Sequence, residues 1–239
     1  MIHSTRGIVL KTFKYSENSV IAKIYTEQFG LRSYIVKGMS GKSNQGKKAL
    51  LQGMSLLEMV VYEKATGNLQ NIKEMDAAHT FSNIPFDIRK STILMFMNEV
   101  LYKCIGEEVA NGPMFLFLFN QLIELDESQD NISGFHLQFL IRFTKYLGFM
   151  PRNNYNESNP YFDLQEGAFI ADVPFHNNYI HKDLSLQMSR LLDRKHPVFK
   201  GQAIERNELL QKIILYYSLH VPSFGDLKSF EVLKQVFTY

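Results

Sequence analysis

The run GIVLKTFKYSENSVIAKIYTEQFGLRSYIV, Gly7–Val36, decides the fold. Apolar and polar residues alternate over Gly7–Phe13, Val20–Thr26 and Leu31–Val36, the period-two pattern of half-buried strands. Tyr15-Ser16-Glu17-Asn18 and Gln28-Phe29-Gly30 separate the three as turns. Two more strands, Leu56–Tyr62 and Leu69–Lys73, flank Thr66-Gly67-Asn68, a hairpin turn. Between the third and fourth lies a long polar loop, Lys37–Gly53, with room for one helical turn at Ala49–Gln52. Five short strands with an insertion after the third is the order of an OB-fold barrel; an SH3-like barrel fits the same pattern.

Beyond Phe86 the period changes. Ile93–Ile105, Pro113–Leu125 and Ile132–Leu147 are apolar at helical spacing. Asn111-Gly112-Pro113 opens the second of these, with Pro near a helix start, and Gly148 stands as a C-cap to the third with Pro151 beyond it. Residues 151–181 read as an irregular insertion with a short hairpin at Tyr161–Ile170. Leu184–Leu192, Asn207–His220 and Leu227–Phe237 read as three more helices, Pro222 parting the last two. The expected fold is α+β: an N-terminal five-stranded OB-fold over 1–78 and a larger all-α domain over 79–239, with the boundary at Ala77–Pro85.

Charge divides along the same line. Residues 1–75 hold 11 Lys+Arg against 5 Asp+Glu, and residues 76–239 hold 15 against 19. A basic strand module beside a mildly acidic helical one suits a nucleic-acid binder with a protein-docking partner domain. The single cysteine, Cys104, excludes an internal disulfide and a Cys-based zinc site, and points to a reducing compartment. The most apolar stretch, Met114–Phe119, falls far short of the roughly 20 residues of a membrane span. The expectation is a cytoplasmic protein with no membrane association.

Each early strand offers a basic residue beside an aromatic at i, i+2: Lys11 with Phe13, Lys23 with Tyr25, Arg32 with Tyr34. Cations for phosphates and flat rings for bases are what a single-strand binder uses. The competing reading is an ordinary solvated barrel exterior with snorkelling lysines. The Lys37–Gly53 loop adds Lys37, Lys42, Lys47 and Lys48 with four glycines and no acidic residue. Gly46-Lys47-Lys48 is followed by Ala49, so the magnesium-binding hydroxyl of a P-loop is missing. His176 and His181 with Asp172 and Asp183 are weak grounds for a metal, and none is expected. Glu107-Glu108 and Glu124-Asp126-Glu127 read as solvated helix ends. No nucleophile elbow or Cys–His pattern occurs, so neither catalysis nor a cofactor is expected. Met114–Phe119 is apolar on every face and has to meet another element or a partner. Arg142 and Lys145 are placed to rim an apolar groove for an acidic-hydrophobic peptide.

These residues resemble the RecO family of bacterial recombination mediators. Gly7–Thr12 with Tyr15-Ser16-Glu17 resembles the family's opening strand and turn. Tyr25-Thr26-Glu27, Gly30, Val36-Lys37-Gly38 and Leu51-Gln52 continue it in register. Leu147-Gly148-Phe149 is similar to the segment closing its central helix, and Pro222-Ser223-Phe224, Lys228-Ser229 and Glu231-Val232-Leu233 to its last helix. The resemblance implies an OB-fold and a helical domain, binding to single- and double-stranded DNA, and annealing of complementary strands. It also implies partnership with RecR and the acidic tail of single-strand binding protein, so that RecA is loaded, and no catalysis. Many relatives carry a four-cysteine zinc module where this chain has the cysteine-free 151–181. Leu137 and Gln138 stand where some relatives place arginines, which leaves Arg142 and Lys145 as substitutes. The alternative is a protein-interaction adaptor whose OB-like module docks protein and not DNA.

Overall fold

The computed structural model describes residues 1–40, 45–63, 67–106, 109–129, 132–193 and 199–237. Strands β1 (Ile2–Ser16), β2 (Ser19–Thr26), β3 (Gly30–Lys37), β4 (Leu56–Tyr62) and β5 (Leu69–His79) form a closed barrel in the order β1-β2-β3-β5-β4. Every pairing is antiparallel except β3 with β5, parallel from Ser33↔Leu69 to Ile35↔Asn71. This is the strand order of an OB-fold. β1 and β5 outrun their alternating segments because ladder pairing continues past the last core residue.

The barrel is filled by side chains including Val9, Ala22, Ile24, Tyr34, Leu57 and Val61. Burying a large aliphatic side chain contributes roughly 1.5–3 kcal/mol. Gly7 lies where a Cβ would come within 2.6 Å of both Ile24 and Met59, so the interior has no room for a side chain there. α1 (Gln45–Leu50) lies in the expected long loop, starting four residues earlier than the turn expected at Ala49–Gln52.

Two helices complete this compact unit, Met1–Ser128. α2 (Ile88–Cys104) starts one turn before the apolar pattern because the Asp87 side chain caps it, accepting from the N–H of Arg89 and Lys90. α3 (Gly112–Glu127) opens where expected, Asn111 accepting from the Met114 N–H. The apolar run Met114–Phe119 meets the barrel: Phe115 lies 6.0 Å from Tyr25 ring to ring, and the Arg6 guanidinium stacks on Phe119 at 4.9 Å. Leu116 remains exposed. The connector after β5 is fixed by buried Asp126, whose carboxylate accepts from the N–H of Ser82, Asn83 and Ile84.

The second unit, Gln129–Tyr239, holds α4 (Phe135–Leu147), α5 (Lys182–Leu191), α6 (Ala203–His220) and α7 (Lys228–Val236). Gly148 ends α4 in the left-handed region, φ +86°, as its sequence position predicts. The irregular insertion contains more order than its composition predicts. β6 (Tyr161–Asp163) and β7 (Ala168–Ile170) form the expected hairpin, and β8 (Tyr179–Ile180) adds a third strand on the other edge of β6. Asn154 clamps β7, donating to the Phe169 carbonyl and accepting its N–H. Phe162 packs edge-on against Phe169 at 4.9 Å and against Tyr216 of α6 at 6.2 Å. Gly167, φ +62°, turns the hairpin where a Cβ would stand 2.7 Å from the Tyr216 hydroxyl, so only glycine fits. An aromatic core therefore holds this segment.

Candidate nucleic-acid interface

Lys11 of β1 owes its direction to one β-bulge, while Lys23 of β2 alternates with the buried Ala22 and Ile24. Val9 pairs with Ile24 but Lys11 pairs with Lys23, which leaves Leu10 as the extra residue. A bulge re-aims the residues that follow it. Val9 faces the barrel interior, and Lys11 two residues later is exposed. The Lys11 Nζ lies 4.6 Å from the Tyr102 ring centroid, and the Lys23 Nζ lies 5.4 Å from the same ring. Lys11 is also 5.2 Å from the Phe13 ring, which is 38% exposed. Phe13, Lys14 and Tyr15 line the free end of the β1–β2 hairpin. The sequence does not single out Tyr102, which lies within the helical segment Ile93–Ile105; only the docking of α2 brings it to the lysines.

The lysine loop is tied to this hairpin at both ends. The Asn18 carbonyl accepts from the Met39 N–H at the hairpin turn, and the Asn18 side chain accepts from Ser40. At the far end Thr12 donates to the Leu51 carbonyl, and the Met54 N–H donates to Val9. Lys47 and Lys48 are exposed on α1, and Lys37 is exposed at the end of β3. Lys37 and Lys47 line a cleft of about 700 Å³ beside β5, with Tyr62, Asn71 and Lys73. Lys42 lies outside the described residues.

Two expected stacking residues are not available to bases. Tyr25 and Tyr34 are each 0% exposed. Tyr25 is covered by α3, packing on Phe115. Tyr34 points into the barrel, where its hydroxyl donates to Glu63 at 2.7 Å; burial, reinforced by that bond, pushes its phenol well above the ordinary tyrosine range. Arg32 shares this inward register and is half-buried, its Nε 3.8 Å from Glu63. Burial decides which of these faces are open, and of the three rings only Phe13 has an open face.

Acidic residues gather around Arg6, and two of them, Glu74 and Asp76, also line the Lys37–Lys47 cleft. Glu58 pairs with Asp76 across β4–β5, and with Glu27 and Glu74 they line a cleft of about 360 Å³ around Arg6. Arg6 is neutralised there by a two-point contact with Glu27 at 2.8 and 2.9 Å. The positive surplus of the first 75 residues is thus concentrated on the β1–β2 hairpin and the loop tied to it.

The family model for the recombination protein O N-terminal region matches residues 1–81, and that for its C-terminal region matches residues 85–229. The chain belongs to the RecO family. It is similar to a protein named DNA repair protein RecO from Flavobacterium johnsoniae, 39% identical over 98% of both chains. Proteins of the same name from Phocaeicola vulgatus and Bacteroides fragilis are 34% and 35% identical, covering 99% or more of each chain.

In this RecO-family chain the second unit carries the other expected site. Arg142 is half-buried and Lys145 exposed, about one turn apart on α4, with Gln138 a turn before them on the same strip. Lys145 Nζ lies 5.7 Å from the Tyr146 ring. His176 and His181 do not converge: His176 pairs with Asp163 at 3.3 Å and His181 with Asp183 at 2.9 Å. Among the described residues no group of three or more His, Cys, Asp or Glu side chains is placed to hold a metal. Burial raises the Cys104 thiol to about 12, which keeps it protonated and unreactive at neutral pH. Among the described residues no helix is long and apolar enough to cross a membrane.

Proposed function

We propose that this chain is a non-enzymatic, DNA-binding recombination mediator of DNA repair. It binds single- and double-stranded DNA through the OB-fold, anneals complementary strands, and helps load a RecA-type recombinase onto single strands coated by single-strand binding protein. The observation that carries the reading is full-length membership of a family whose relatives bear the name DNA repair protein RecO. The exposed lysines on the β1–β2 hairpin and its tied loop support the DNA contact, since clustered cations beside an open ring suit backbone phosphates and stacked bases. Lys11, Lys23, Lys37, Lys42, Lys47 and Lys48 are the proposed phosphate contacts, with Phe13 as the stacking ring. Arg142 and Lys145 are the proposed contacts for the acidic tail of single-strand binding protein, and RecR the proposed partner in loading.

The test is a salt titration of binding to a labelled oligonucleotide, with and without an acidic C-terminal tail peptide. Binding that weakens by about 0.7 log units per log of salt for each phosphate neutralised on single strands, or about 0.9 on duplex, supports the reading. An absence of binding at low salt, with the tail peptide still bound, would favour a protein-docking adaptor.

A further inference from the structure

Lys11 and Lys23 are direct cross-strand partners. Like charges placed directly opposite on antiparallel strands repel and destabilise the pair. A local rule broken in this way points to a use for the arrangement. What the two ammonium groups share is a ring: Tyr102, from the last turn of α2, lies within 5.4 Å of both. An aromatic face attracts a cation within about 6 Å of its centroid. Phe13 adds a second ring 5.2 Å from Lys11.

We infer that Tyr102 is a positioning residue that holds Lys11 and Lys23 as a preformed two-point clamp for consecutive phosphates of a single DNA strand. The inference rests on the DNA-binding reading above and deepens it. Two free lysines on adjacent strands swing apart and lose rotamer freedom when a phosphate orders them. A ring anchored on a packed helix holds both stems in advance, so less ordering remains to be done on binding. The hydroxyl of Tyr102 has no part in this; the ring face does. Lys11 lies against both Tyr102 and the partly exposed Phe13, so a base next to the clamped phosphates has a surface to stack on.

The test compares Tyr102→Phe, Tyr102→Leu and the double variant Lys11→Gln/Lys23→Gln on a labelled oligothymidylate across a salt series. The clamp predicts that the double glutamine variant lowers the salt slope by about 1.4, two phosphates at about 0.7 each. It predicts that Tyr102→Leu weakens binding by about five- to 150-fold, the ordering of two lysine side chains that the ring no longer holds in advance, and that Tyr102→Phe binds as the parent does. Adding Lys23→Gln to Tyr102→Leu should raise the thermal midpoint, because the ring no longer offsets the repulsion; this reads the same contact where binding is obscured by poor folding. If the double glutamine variant loses affinity and Tyr102→Leu does not, the positioning role is overturned while the DNA reading stands. If neither changes affinity or slope, DNA does not bind on this face.

Discussion

Lys90 and Asp126 lock the barrel's connector from two directions. The buried Lys90 ammonium donates to the carbonyls of Asp126 and Ser128 at 2.7 and 2.8 Å, closing the C-terminus of α3. The Asp126 carboxylate meanwhile takes three consecutive N–H groups of the connector, Ser82 to Ile84. One residue thus joins α3 to the segment that launches α2, and through it fixes the helix that carries Tyr102.

Burial alone raises the Asp126 carboxyl, but the N–H bonds from Ile84, Ser82 and Asn83, with the His79 contact, outweigh it and bring it to about 2. A depressed carboxyl contributes stability that is fully present above its unfolded value near 3.8 and is lost as pH falls through about 2. The shift corresponds to about 2 kcal/mol. Asp126→Asn should cost the Met1–Ser128 unit on the order of 2–4 kcal/mol in urea unfolding, since an amide nitrogen then faces buried donors. It should also flatten the pH dependence between about 4 and 2.

In the second unit the sign is the same but the window differs. Burial, aided by the Arg206 charge, lowers the His136 imidazole to about 3. The folded unit therefore holds a neutral imidazole, and its stability falls as pH drops below about 6.5, where the unfolded chain takes up the proton. At pH 5 the loss is about 2 kcal/mol. Denaturant melts at pH 7 and pH 5 should differ by this amount, and His136→Gln should remove the difference.

Lysine position and aromatic burial make opposite predictions for DNA. Reversing Lys37, Lys47 and Lys48 to glutamate should reduce the single-strand salt slope by about 2. Tyr34→Phe should leave that slope and the affinity unchanged, because the ring is inside the barrel; its effect is a stability loss of about 1–3 kcal/mol from the orphaned Glu63 contact. Phe13→Ala should lose roughly 1–3 kcal/mol of single-strand affinity with little change in melting.

The 151–181 segment should be indifferent to metal. Phe162 is 0% exposed and packs on Phe169 and Tyr216, so Phe162→Ala should destabilise the second unit by about 3–5 kcal/mol. A chelator should leave the thermal midpoint of the parent protein where it was; a midpoint that falls on chelation would contradict the aromatic account.

By itself the sequence determined where the central strands, helices and turns lie, because those periods are local: alternation in β2 and β3, helical spacing in α3, a glycine after Leu147. It also determined the charge split and the absence of cysteine from 151–181, which are matters of composition. The family resemblance rested on ordered local segments and needed no contacts. Which ring faces outward was not local. Tyr34 joins the interior because closing five strands puts the register of Val36 inside. Tyr25 is covered because α3, far along the chain, docks over it. Lys11 faces out because a single extra residue, Leu10, breaks the alternation it was read from. Tyr102 is legible in the sequence only as part of a helical segment; its place beside two lysines exists only once α2 packs on the β1–β2 hairpin, a contact spanning some 80–90 residues that no short-range period records.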